Sequence, residues 1–308
     1  MKIQFENVDF NSNSGPNGFG LKLARELVRI GHEITVDSAD VRLSFIQSAN
    51  NFNPTVLRLD GIYFNSLQDW ESMNVPIKKS YDYAQAVVVQ SEFDKKLIFE
   101  FFGERDNVHV IHNGTDIDLV KRIPSAWARG GLPQHVSRDS VWMCASSWRP
   151  HKRLTENIRL FHHLKKPGDI LLVAGHNAHT SVDPGTALDG VHFLGNLPWE
   201  SMISWMKSAG NFIHLAWLDH CPNVVVDARV SGCKLHVSEA GGTAEIVDAI
   251  DKVYADADFN FNPVELYNPP RMTFELSKDP FKLVKPGIRT ASIRESANKY
   301  IDVLKSAI

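Results

Sequence analysis

DHCPNVVVDARVSGCKLHVSEAGGTAEIV, residues 219–247, decides the fold. Pro222 stands where a helix would start, since its φ is fixed and it has no N–H to lose. The free N–H groups of Asn223 and Val224 then open toward the preceding loop. The helix predicted over Pro222–Ser231 stops at Gly232, and Lys234–Val237 is an apolar strand. Upstream, Asn211–Ala216 is another strand. Strand, loop, helix and strand in this order make a unit of a parallel α/β sheet. Such a helix end binds phosphate, because backbone donors and the positive end of the helix dipole converge there.

The same alternation extends in both directions. Strands are expected at Ser140–Ala145, Asp169–Ala174 and Val191–Leu194, and helices at Leu154–Leu164 and Glu200–Ala209. Toward the amino terminus the strands are Met1–Val8, Glu33–Val36, Val41–Phe45, Thr55–Leu59, Ala86–Val89 and Val108–Ile111. Helices fall at Phe19–Ile30, closed by Gly31, and at Glu92–Phe102. Runs such as Ala86-Val87-Val88-Val89 suit strands covered on both faces. Between Pro124 and Arg138 periodicity is lost, with Pro124, Gly130, Gly131 and Pro133 interrupting the chain. The expected fold is α/β, two Rossmann-like domains facing across a cleft. Residues 1–123 form the first domain, 124–138 a linker, 139–287 the second domain and 288–308 a carboxyl-terminal helix. In that helix Ile293, Ala297, Tyr300, Ile301 and Leu304 are spaced for burial, against the first domain or a partner. Any ligand is expected at the carboxyl ends of the strands.

Composition narrows the function classes. The chain has 308 residues, 43% hydrophobic and 22% charged, which excludes disorder, collagen and a small disulfide scaffold. A formal charge of -3 argues against nucleic acid as the main partner. Cys144, Cys221 and Cys233 are an odd, unpaired set expected to act as small buried hydrophobes in a reducing compartment. The amino terminus turns polar too early for a secretory leader, and no apolar run is long enough to span a bilayer. A cytoplasmic location is expected, with peripheral contact to a membrane surface left open, as is the oligomeric state.

Several residues carry chemistry. Asp219 and Asp227, eight positions apart, flank the anion site. As carboxylates they suit sugar hydroxyls rather than phosphate, or else Asp219 caps the helix and Asp227 is a surface acid. Arg149, Lys152 and Arg153 follow the strand ending at Ala145, where fixed positive charge would meet a diphosphate, unless the run is a solvated turn. Gly15, Asn17 and Gly18 precede the first helix, and small residues there allow close backbone approach to a ligand. Their spacing is not the dinucleotide fingerprint. Arg58 and Asp60 lie at another strand end, facing an acceptor or forming an internal salt bridge. His220 stands near a phosphate without a visible orienting partner. Asp116 and Asp118, and likewise Asp256 and Asp258, are taken as structural. No His, Cys and acid cluster has metal spacing, so no metal or other cofactor is expected.

These residues together resemble the carboxyl-terminal domain of retaining glycosyltransferases with the GT-B fold, glycosyltransferase family 4 in particular. The family's pair of Glu residues eight positions apart falls on Asp219 and Asp227, both one methylene shorter here. Its small-residue run falls on Ala228, Ser231 and Gly232, and its Ser-x-x-Gly-Gly-x-x-Glu turn on Ser238 to Glu245. Val89–Phe93 and Val110–Asp116 are similar to the end of the family's first domain. The resemblance implies transfer of a hexose from a UDP- or GDP-linked donor to a glycan or other hydroxyl acceptor. It places Arg149 and Lys152 on the donor diphosphate, Asp219 by the sugar, and Asp227 on the ribose. Leu197 lies in the segment whose backbone holds the base, and Pro222, Asn223 and Val224 lie at the phosphate. Arg58 and Asp60 fall on the acceptor side. A nucleotide-sugar or glycan binding protein without turnover, or a sugar-nucleotide epimerase, are the other activities this pattern allows.

Overall fold

The computed structural model describes residues 1–12, 14–49, 54–130, 136–279 and 291–308. Six strands, β1 (Lys2–Glu6), β2 (Glu33–Ile34), β3 (Val41–Phe45), β4 (Thr55–Leu59), β5 (Ala86–Val89) and β6 (Val108–Val110), form a parallel sheet in the order β2-β1-β3-β4-β5-β6. A second parallel sheet contains β7 (Val141–Ala145), β8 (Ile170–Ala174), β9 (Val191–Gly195), β10 (Asn211–His214), β11 (Lys234–Ser238) and β12 (Lys252–Tyr254), in the order β12-β11-β10-β7-β8-β9. The sequence direction reverses between β7 and β10. In a doubly wound sheet that crevice is where a ligand sits.

Every residue of β3, β4, β5 and β7 is buried, as strands covered by helices on both faces require. The helices are α1 (Gly15–Arg29), α2 (Trp70–Tyr83), α3 (Glu92–Phe102), α4 (Ile117–Arg122), α5 (Leu154–Leu164), α6 (Trp199–Met206), α7 (Asn223–Val230) and α8 (Ile293–Ala307). The final helix does cross back: Ile293, Ala297, Tyr300 and Leu304 share one core with Leu23, Leu27, Leu43 and Phe45 of the first domain. Residues 131–135 of the expected linker and residues 280–290, where its carboxyl-terminal helix was expected to begin, lie outside the described residues.

Besides α4 and β12, which were not expected, three features depart from expectation. The first helix begins at Gly15, with Ser14 as its cap and Pro16 in its opening turn, so Gly15, Asn17 and Gly18 are helical rather than loop residues. Helix α2 was unforeseen because Pro76 interrupts its polar sequence; Asp69 caps it by accepting from Ser72 N at 3.3 Å. The third feature is the chain after β12. Asp256 to Ser277 leaves the second sheet, pairs Val264 with Asn65 of the first domain, and returns to pair Leu276 with Tyr254. Phe259 and Phe261 pack on Phe93 at centroid distances of 6.0 and 5.7 Å. On the return, Pro270 O accepts from Arg153 Nη2 at 2.7 Å. The segment is a strap tying the two domains together.

Candidate functional site

The carboxyl ends of the two sheets face each other around a cavity of about 410 Å³. From the first domain, the amino-terminal turn of α1 and its stripe Gly15, Gly18, Lys22 and Arg25 line it. These positions share a helical face at intervals of three and four. From the second domain come Ser146 and Ser147 after β7, Asn196 and Leu197 after β9, Trp199 of α6, and Asn223, Val224 and Asp227 of α7. Five residues expected at the donor, Gly15, Gly18, Leu197, Asn223 and Val224, therefore share one cavity with Asp227. Asn17 faces its own loop, where its Oδ1 accepts from Asp9 N at 3.1 Å. Pro222 caps α7, and its carbonyl takes the N–H of Val225 at 3.0 Å.

Asp227 is buried, so it is not a surface acid. Lys22 Nζ donates to its Oδ1 at 2.8 Å across the cleft, and Trp199 Nε1 donates to its Oδ2 at 2.8 Å. Lys22 also lies over the Trp199 ring, 5.2 Å from the centroid. A second cross-cleft bond runs from Asn223 Nδ2 to Gly15 O at 2.8 Å. Neither Lys22 nor Trp199 was expected from sequence. The legible signal for Lys22 was its place one turn past Gly18 on the face opposite Leu23 and Leu27.

A second cluster lies where β7 and β10 diverge. Lys152 Nζ donates to Asp219 Oδ2 at 2.6 Å, and His214 Nε2 lies 2.9 Å from the same oxygen. The backbone N–H of His220 reaches Asp219 Oδ1 at 3.1 Å. Burial pushes the Asp219 carboxyl up, but the Lys152 ammonium and the His214 ring outweigh it and hold the group well below the usual carboxylate range. Burial lowers the His214 ring despite Asp219, which keeps it neutral. Gly241 sits at φ +86, and a Cβ there would stand 2.5 Å from Asp219 O. A Cβ on Gly242 would meet His220 O at 1.9 Å, so the glycine pair is what lets this turn close under Asp219. Arg149 is exposed, at the start of the same loop.

Other candidates take structural places. Arg58 is fully buried between the Phe19 and Phe45 rings, where it pairs with Asp60 and bonds Tyr300 Oη at 3.0 Å and Asn113 Oδ1 at 2.9 Å. The pair is thus the internal salt bridge, with Arg58 covered by Tyr300 of helix α8. Arg153 is buried against Asp256, 2.5 Å away, and anchors the strap rather than joining the basic patch. His220 lies 3.1 Å from Asp94 of α3, with Phe64 and Phe93 against its ring. Burial lowers that ring, and Asp94 more than compensates. Glu245, at the end of the glycine turn, accepts from Glu92 N and Phe93 N at 2.8 Å each and caps α3 of the other domain. Asp116 caps α4 through Leu119 N at 2.9 Å. All three cysteines are free and buried. Among the described residues no group of three or more His, Cys, Asp or Glu could hold a metal, and no helix is long and apolar enough to cross a membrane.

No protein-family model matches the chain, and no curated protein matches it. Solved structures do. Anabaena HepE in complex with UDP-glucose is 15% identical with a TM-score of 0.65, over 100% of this chain and 98% of that one. The catalytic domain of Arabidopsis thaliana starch synthase IV, bound to ADP and acarbose, is 10% identical with a TM-score of 0.68, over 100% and 99%. Sucrose-phosphate synthase from Thermosynechococcus elongatus is 12% identical with a TM-score of 0.65, over 100% and 96%. The shared architecture is the GT-B fold, two parallel α/β sheets opposed across a cleft.

Proposed function

We propose that this chain is a retaining glycosyltransferase that moves a hexose from a UDP- or GDP-linked donor to a glycan or other hydroxyl acceptor. The observation that carries the proposal is the cavity between the two sheets. The amino-terminal end of α7 and a buried carboxylate, Asp227, face α1 across it, and Ser146 and Ser147 line it at the start of the loop that leads on to Lys152. A helix amino terminus suits phosphate, and a buried carboxylate suits vicinal hydroxyls. HepE, which shares the fold, was solved with UDP-glucose.

In this reading Asp227 takes the ribose hydroxyls, with Trp199 fixing the carboxylate. Backbone groups around Leu197 meet the base. The N–H groups of Asn223 and Val224, with Gly15 and Gly18 opposite, face the diphosphate, and Arg149 and Lys152 neutralise it. As the bond from the anomeric carbon to the diphosphate oxygen breaks, charge grows on that oxygen. A positioned ammonium stabilises this charge without rearranging solvent. The acceptor oxygen then bonds to the same face of the carbon and passes its proton to the departing diphosphate oxygen. In this reading no protein nucleophile is assigned and no metal is required, and the reaction belongs to the cytoplasm.

Incubating the protein with UDP- and GDP-sugars, with and without a set of glycan acceptors, tests the proposal. Transfer, or donor hydrolysis without acceptor, is expected for one donor. Absence of binding and hydrolysis across the panel overturns it, and binding without turnover makes the chain a carrier instead.

A further inference from the structure

We propose that Asp219 and His214 act on the donor through Lys152: the His214 ring holds the Asp219 carboxylate, which holds the Lys152 ammonium at the diphosphate. This deepens the function proposed above and rests on it. It also changes the role of Asp219 from sugar ligand to positioning residue.

The bonding of the carboxylate carries the inference. Oδ2 takes Lys152 Nζ at 2.6 Å and His214 Nε2 at 2.9 Å, and Oδ1 takes the backbone N–H of His220 at 3.1 Å. Its main chain is fixed as well, since Gly242 N donates to Asp219 O at 2.7 Å and Asp219 pairs with Gly241. A short side chain on a fixed backbone, engaged at both oxygens, stays at Lys152.

His214 supplies what an apolar residue at the end of β10 could not. It is buried, and with its Nε2 hydrogen aimed at Asp219 it is a neutral donor. A neutral donor fixes the carboxylate without cancelling its charge. The ammonium on the other side has three N–H groups and uses one on Asp219, so two remain for phosphate oxygens. Lysine is otherwise a mobile point charge on a flexible stem, and holding it in place before the ligand arrives removes an ordering cost. The strands bearing the partners are adjacent at the order reversal, β7 leading to Lys152 and β10 ending at His214.

Calorimetric titration with uridine, UDP, guanosine and GDP separates this inference from the reading beneath it. The quantity to compare is the gain in affinity from nucleoside to nucleoside diphosphate. Wild type is expected to gain at least about tenfold for one base. His214→Leu is expected to lose about three- to tenfold of that gain, with nucleoside affinity within about twofold of wild type. His214→Gln, whose amide can occupy the Nε2 position, is expected to recover most of it. An unchanged gain in His214→Leu overturns the inference, and so does a parallel loss for nucleoside and diphosphate. Should His214→Leu fail to fold, His214→Gln decides: a retained gain supports the inference, and a lost one overturns it. No gain in wild type for either base overturns both this inference and the function it rests on.

Discussion

Two charged pairs stand at strand ends, one in each domain, and they have opposite fates. Arg58 lies in β4 and Asp60 follows it, and Arg58 is 0% exposed under a ring from α8. Lys152 follows β7 and Asp219 follows β10, with side chains 18% and 12% exposed. In the Arg58 cluster Tyr300 and Asn113 accept from the guanidinium and Gln90 donates to Asp60 Oδ1, while Asp60 Oδ2 has no hydrogen-bond partner among the described residues. Lys152 keeps N–H groups and solvent access to spare. What separates the two pairs here is the third element over Arg58. Helix α8 arrives from the far end of the chain to cover Arg58, while among the described residues no helix bonds Lys152 in the same way.

Exchanging the outcomes of two mutations would break this contrast. Arg58→Met leaves Asp60 uncompensated in the interior and is expected to cost about 3–5 kcal/mol in urea denaturation. A loss below about 1 kcal/mol would show that the cluster does not hold the domain together. Lys152→Met is expected to cost only about 1 kcal/mol of stability, since His214, a backbone N–H and solvent still serve Asp219. Its donor turnover is expected to fall by about 100-fold or more, the scale of losing one donor to a developing anion. Wild-type turnover in that variant removes Lys152 from the site.

The sequence made every strand but β12, most helices and the position of Asp227 legible, because each rests on local periodicity or on one proline. It left the fate of Arg58 open, since covering that residue depends on Tyr300, 242 positions away. Trp199 and Lys22 were hidden for a similar reason. Each matters through a contact with Asp227 from a separate element, and Lys22 through one from a separate domain. The strap was unreadable because it lacks periodic structure and is held by single pairings such as Val264 with Asn65.

A third buried group sharpens the comparison, because it has neighbours but no counter-ion. Burial, helped by Lys234 and Lys252, lowers the His236 ring to about 3, and it lies 3.0 Å from Tyr254 Oη and 3.2 Å from Asn211 Oδ1. The folded state then binds fewer protons than the unfolded one between about pH 6.5 and 3. Its contribution is complete above about pH 6.5 and is lost as pH falls toward 3, by up to about 1.4 kcal/mol per unit. Urea denaturation of wild type and His236→Gln between pH 7 and 4.5 should show a shallower decline in the variant. Identical slopes would mean that the ring does not titrate as buried. The smallest effect is expected from Tyr300→Phe, which removes one bond to Arg58 and should cost about 1 kcal/mol with donor binding unchanged.

The most direct measurement is the structure of the protein with a bound UDP- or GDP-sugar. The expected complex has the ribose on Asp227, the diphosphate between the start of α7 and Lys152, and Lys152 still in contact with Asp219. A nucleotide sugar bound outside the cleft, or within it but away from both Asp227 and Lys152, would contradict the assignment of this site.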